Sequence, residues 1–265
     1  MTAEPGSWWL VLLGGMAGQA VRVAEADRAR AALLATVSHD LRAPLAAAKA
    51  AVSSLRAGDA RLATGDRMDL LAAGEESPDR LAHLTASMLD MSRLQAGARA
   101  VFPRPADVGE IVAAALEALG PQPKPVLADI PSGLREVMAD PAIAERVIVN
   151  LAGNALRYSP APAPPLLTAR TAGNRVELRV VDHGPGIAAA DRKRVFQPFC
   201  RLGALGDSTG VGLGLAVARG LAETIGATVE PEDTPGGGLT VVPTLPAAPA
   251  RPAAEPCGTR RIRAA

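Results

Sequence analysis

The sequence predicts two folded parts in one chain, an all-α helical hairpin followed by an α/β two-layer sandwich. Three observations predict this. Apolar residues recur at steps of three and four from about Ala24 to Gly97. A proline-punctuated stretch follows Phe102. Beyond it, helix-like segments alternate with short β-rich runs, the pattern of helices layered on a sheet.

The bulk properties fit. A chain of 265 residues suffices for one large domain or two modest ones. Hydrophobic residues make up 48% but aromatics only 2%, so the core is built from Ala, Leu and Val. With 28 basic and 27 acidic residues the formal charge is +1, and no single-sign field points to nucleic acid. Cys200 and Cys257 form neither a CxxC pair nor a disulfide framework, which suits a reducing cytoplasm.

Taken in order, residues 1–23 are an apolar N-terminal segment. Its run from Trp8 to Val21 is interrupted by Gly14, Gly15 and Gly18. A membrane-spanning helix needs about 20 apolar residues, and this run is shorter. Three readings stay open: the stub of a last transmembrane helix, a membrane-surface segment, or the ordinary start of a helix. Residues 24–102 are read as the hairpin. In its first helix Leu34, Val37, Leu41, Leu45, Ala48, Val52 and Leu55 form the seam, and in its second Leu70, Leu81, Leu84, Met88, Met91 and Leu94. The turn lies between Gly58 and Asp66. Two amphipathic helices alone bury little, so the hairpin predicts a homodimer with a four-helix bundle.

Residues 103–245 are read as the sandwich. Helices are expected over Asp107–Leu119, Pro141–Tyr158 (with Asp140 as N-cap and Pro141 at the first helical position) and Gly212–Ile225. Strands are expected over Leu166–Thr171 and Val176–Val181, turning at Gly173-Asn174, and over Leu239–Leu245. The Ala- and Pro-rich remainder, 246–265, is read as a disordered tail.

Four segments carry chemistry. In Ser38-His39-Asp40-Leu41-Arg42-Ala43-Pro44, His39 lies beside seam residues on the flank of a helix. A neutral imidazole there is a nucleophile near neutral pH, and Asp40 can orient it or accept its proton. Asn150, Asn154 and Arg157 fall at i, i+4 and i+7, on one helix face. Carboxamide oxygens suit Mg²⁺ shared with phosphates, though a polar solvent face gives the same pattern. In Asp182-His183-Gly184-Pro185-Gly186-Ile187 a carboxylate ends a strand and precedes a glycine turn, where it can accept from an adenine amino group. A plain tight turn is the alternative. Gly210, Gly212 and Gly214 open a helix whose N-terminus favours polyphosphate. The short polar segment Arg201–Thr209 before it has the composition of a nucleotide lid.

Each segment is weak alone, but their order is specific. Together with Phe196-x-x-Phe199, they resemble the H, N, G1, F and G2 boxes of the orthodox histidine kinases of two-component systems, over roughly residues 25–245. Three longer runs are similar to the Kdp branch of that family: Val37–Leu45, Leu89–Gly97 and Asp233–Gly238. The resemblance implies a phosphoacceptor hairpin followed by a Bergerat-type ATP-binding domain. It implies that His39 receives the γ-phosphate of Mg-ATP and passes it to an aspartate on a response-regulator receiver domain, with potassium-linked signalling as the context. Asn154 then holds Mg²⁺ and Asn150 and Arg157 contact phosphates. Asp182 binds adenine, and Gly184, Gly186, Gly210, Gly212 and Gly214 shape the pocket and lid. Tyr158, Ile187 and Leu213, in the same motifs, join the nucleotide contacts. The implied location is cytoplasmic, at the inner face of the plasma membrane.

The sequence departs from the family pattern at three places. Ala43 stands four residues after His39, where many relatives carry Thr or Asn, which predicts weak phosphatase activity. His183 replaces the usual Asn. The sensory region expected before a Kdp-type core is missing ahead of residue 24. His83 reads as a surface histidine, and Cys200 as an accessible thiol with no catalytic neighbours. Two other functions compete: a non-catalytic dimeric ATP-binding module, and a gyrase-like or chaperone-like ATPase. The upstream hairpin with His39 disfavours the second.

Overall fold

The computed structural model describes residues 41–57, 64–97, 100–120, 124–200 and 212–249. His39, Asp40, Gly210 and the apolar run at 8–21 lie outside the described residues. By their contacts the described residues form two compact units. The second helix contributes to both, through Ala86 in the first and from Ser87 onward in the second.

The first unit is helical. Helix α1 is described over residues 41–56, and α2 runs over Thr64–Gln95. A Cβ placed on Gly74 would stand 3.8 Å from the Ala51 Cβ, so these two positions are level. Equal rise along antiparallel helices then sets Leu41 opposite Leu84, Pro44 opposite Leu81, Ala48 opposite Ser77 and Leu55 opposite Leu70. All eight are buried or half-buried. This corrects the expected seam in the first helix. Leu45 and Val52 are 62% and 50% exposed, because each lies one residue, about 100° of turn, past an inward position. Pro78 sits inside α2, where it supplies no N–H to the Gly74 carbonyl.

The second unit is the expected sandwich, with more strands than the sequence discloses. Strand β1 (Arg104–Ala106) pairs antiparallel with β3 (Val137–Ala139) as a separate ribbon. The main sheet has five strands in the order β2-β4-β5-β7-β6. They are β2 (Leu127–Asp129), β4 (Leu166–Ala172), β5 (Arg175–Val181), β6 (Thr228–Asp233) and β7 (Leu239–Pro246). Strand β2 runs parallel to β4, and the remaining pairs are antiparallel. Gly173, at φ +61°, makes the β4–β5 turn where expected.

Helix α3 (Val108–Ala118) starts at Asp107, whose carboxylate accepts from the Glu110 N–H at 3.0 Å. Helix α4 spans Pro141–Tyr158, and the Asp140 carboxylate accepts from the Ala142 N–H at 3.1 Å. This Asp-Pro start matches N-cap chemistry and the fixed φ of proline. Helix α5 spans Gly214–Thr224, two residues later than expected at its start. Val108, Ile111, Val147, Ile148, Leu178, Ala222 and Leu245 surround one small apolar void, so α3, α4 and α5 share a core with the sheet. Residues 246–248, expected in the tail, are instead part of the sheet and its edge contacts. Pro246 is in β7, and the Ala247 and Ala248 N–H groups donate to the Asn174 and Glu136 carbonyls at 3.0 and 2.7 Å. Residues 250–265 lie outside the described residues.

Candidate functional site

Asp182 follows the last residue of β5 and is 3% exposed. One carboxylate oxygen, Oδ1, accepts from the Gly184 N–H at 2.9 Å and from the Leu239 N–H at 3.0 Å. Burial pushes the carboxyl above its ordinary value of 3.8, while these two N–H donors and the neighbouring His183 pull it down. One oxygen is thus held by the backbone, and the carboxylate is oriented by the fold itself.

Glycines pack this corner tightly. A Cβ on Gly184 would stand 2.9 Å from the Tyr158 carbonyl oxygen, and one on Gly186 3.0 Å from that of Gly238. A Cβ on Gly238 would collide with the Asp182 carbonyl at 2.0 Å. Gly238 was not a predicted site residue, and its only signal was the Gly236-Gly237-Gly238 run. Ser159, at the end of α4, was also missed. Its Oγ accepts from the His183 N–H at 3.3 Å, and its carbonyl accepts from Lys124 Nζ. The end of α4 is therefore tied to the Asp182 loop.

The predicted row on α4 grades from inside to outside. Asn150 is buried, Asn154 half-buried, and Arg157 and Tyr158 exposed. Asn150 Nδ2 donates to the Arg146 carbonyl at 2.8 Å. Its Oδ1 is buried with no hydrogen-bond partner among the described residues. A Cβ on Gly214 would lie 3.8 Å from this oxygen, so the orphaned carboxamide oxygen faces the start of α5. Among the described residues that helix has no side-chain N-cap, and the first N–H groups of a helix can receive an anion. An unsatisfied buried oxygen fits a hard cation or a water bound to one.

The approach to α5 is conformationally strained. Gly212 has φ +70°, and a Cβ there would stand 2.6 Å from the Cys200 carbonyl. Phe199 is at φ +63°, unusual for a bulky residue, and its N–H donates to the Gly212 carbonyl at 3.0 Å. Leu213 is buried, Ile187 half-buried, and Phe196 buried. Asp182, Gly184, Gly186, Asn150, Asn154, Gly212 and Gly214 all lie in the second unit. His83 is exposed on α2, and Cys200 is a half-buried free thiol.

A buried acceptor at one end and a glycine-opened helix at the other are the parts of a nucleotide pocket, and comparison with known proteins agrees. Residues 139–249 match the histidine kinase-, DNA gyrase B- and HSP90-like ATPase family, and residues 29–97 match the His Kinase A phosphoacceptor domain. The sensor protein KdpD of Mycobacterium tuberculosis is 46% identical over 245 residues, 89% of this chain and 28% of that protein. KdpD of Rathayibacter rathayi is 45% identical over 232 residues, 86% of this chain and 27% of that protein. Full-length ShkA, solved in complex with AMPPNP, superposes with a TM-score of 0.56 at 29% identity, over 82% of this chain and 46% of that one. The chain thus joins a histidine phosphoacceptor region to an ATP-binding module and belongs to the sensor histidine kinases. Within that family its core is of the Kdp-sensor type. It spans about 27% of the first of those relatives and 28% of the second.

Proposed function

We propose that this chain is the cytoplasmic kinase core of a potassium-linked sensor. It autophosphorylates His39 from Mg-ATP and passes the phosphate to a response-regulator aspartate. The observation that carries this reading is the occurrence in one unit of a buried, backbone-held Asp182 and of an orphaned Asn150 Oδ1 beside the start of α5. Asp182 binds the adenine amino group, and the α5 N–H groups and Arg157 receive phosphate oxygens. Asn154 is assigned to Mg²⁺, with Asn150 as its neighbour. When bound, the ion neutralises phosphate charge. In the transfer step a His39 ring nitrogen forms a bond to the γ-phosphorus while the bond to the β-phosphate oxygen breaks. ADP leaves, and Asp40 accepts the imidazole proton.

A second copy completes the hairpin as a four-helix bundle. This is supported by Leu45, Val52, Met68, Leu71 and Leu89, all more than 40% exposed in a single chain. Among the described residues no helix is long and apolar enough to cross a membrane. Contact with the inner face of the plasma membrane is assigned to the segment at 8–21.

The test is incubation of the purified chain with Mg²⁺ and γ-labelled ATP, beside His39→Gln and Asn154→Ala. Acid-labile, alkali-stable label is expected on the wild type and on neither variant. ATP binding with no label on the wild type would replace this reading with that of a non-catalytic dimeric ATP-binding module.

A further inference from the structure

One turn before Asn150, α4 carries Arg146. Its guanidinium grips Asp90 near the end of α2. Nε donates to Asp90 Oδ2 at 3.0 Å, and a terminal nitrogen donates to the same oxygen. The pair is largely withdrawn from water, with the Asp90 side chain 5% and the Arg146 side chain 33% exposed. The Arg146 carbonyl accepts Asn150 Nδ2, which leaves Oδ1 turned toward Gly214. A second contact anchors the same stretch of α2. A Cβ on Gly220 of α5 would stand 2.8 Å from Leu94 Cδ1, so the glycine is what lets α2 lie close. The end of α2 therefore rests on α4 through an ion pair and on α5 through an apolar notch.

We propose that Asp90 and Arg146 are positioning residues for the nucleotide site. The pair fixes where α4 stands relative to α5, and hence the gap between Asn150 Oδ1 and the first N–H groups of α5. That gap is where a magnesium-bound triphosphate sits on the function proposed above, on which this inference rests. A displacement of the end of α2 is then read at the site as a change in Mg-ATP affinity. Cutting either half of the pair removes the charged link between α2 and α4, so α4 shifts and the gap changes with it.

The experiment uses the full chain with Arg146→Met, Arg146→Lys, Asp90→Asn and Leu94→Ala. Equilibrium Mg-ATP binding, and KM and kcat for autophosphorylation, are measured beside thermal unfolding. Arg146→Met and Asp90→Asn are expected to weaken Mg-ATP binding and raise KM by about fivefold or more, with kcat at saturation changed less. Arg146→Lys recovers part of the loss. Leu94→Ala moves KM in the same direction without touching either charged residue. Variants that unfold earlier yet bind Mg-ATP as the wild type does make the pair merely structural and overturn the proposal. If Arg146→Met does not fold, Asp90→Asn and Leu94→Ala decide by the same criterion. A wild type that binds no Mg-ATP overturns the functional reading itself, a failure visible before any variant is made.

Discussion

The helices of the two units draw on the same Ala, Leu and Val alphabet but bury it to opposite extents. In α4, ten residues from Ile143 to Leu156 are buried, because α3, α5 and the sheet all come from the same chain. In the first unit, α1 and the part of α2 up to Ala86 have only each other among the described residues. One stripe closes at Ala51 and Gly74, and a second stripe with Leu45, Val52 and Met68 is left facing water. Local sequence is therefore a poor guide to burial. What decides it is how many apolar faces the surrounding chain can cover.

Three variants sharpen or break this contrast. The largest effect is expected from Gly238→Ala. The new Cβ meets the Asp182 carbonyl at a backbone φ of +116°. Strain and overpacking together should cost roughly 3–5 kcal/mol, read as a lowered Tm of the second unit with hairpin helicity retained. Paired Leu45→Glu and Val52→Glu should weaken self-association by about 3 kcal/mol, through lost apolar burial and desolvated charge. Sedentation of the chain by equilibrium ultracentrifugation would show this, with Mg-ATP binding unchanged. An unaltered mass would make that stripe an ordinary solvent face and dissolve the contrast.

The smallest effect is expected from Asp182→Asn. Burial raises the folded carboxyl above its unfolded value of 3.8. The stability this group contributes is thus fully present below the unfolded value and lost as pH rises through the folded one. At neutral pH the buried charge costs stability, and asparagine removes that cost while still accepting the two N–H groups. The variant should melt no earlier than the wild type at neutral pH, with its advantage shrinking on acidification. Its Mg-ATP affinity should fall about tenfold. Loss of stability at neutral pH would show that the carboxylate serves the fold rather than the ligand.

The parts that were legible in the sequence carried local signals. Asp140-Pro141 marked the start of α4, and Gly173-Asn174 marked the β4–β5 turn. The family motifs singled out Asp182, Asn150 and Gly214, all of which lie in the second unit. Strands β1, β2 and β3 were not legible, since three residues are too few for an alternation to register. Strand β6 was hidden by Pro231, which a central strand would not tolerate but an edge strand does. The hairpin seam was misread because two apolar stripes one residue apart look like one broad face until the partner helix selects between them. Asp90 and Arg146 are 56 residues apart, and no local pattern joins a charge on one helix to a charge on another.

Among the described residues, strand β6 pairs with β7 on one side only. Its free edge carries Glu230, Glu232 and Asp233 around Pro231. An incoming strand would find an N–H missing at Pro231 and side chains already held in the Arg179–Glu232 and Arg192–Asp233 ion pairs. This edge therefore resists pairing with a further strand. A chain whose hairpin offers an apolar face for assembly can be present at high concentration without its second units sticking to one another along this edge.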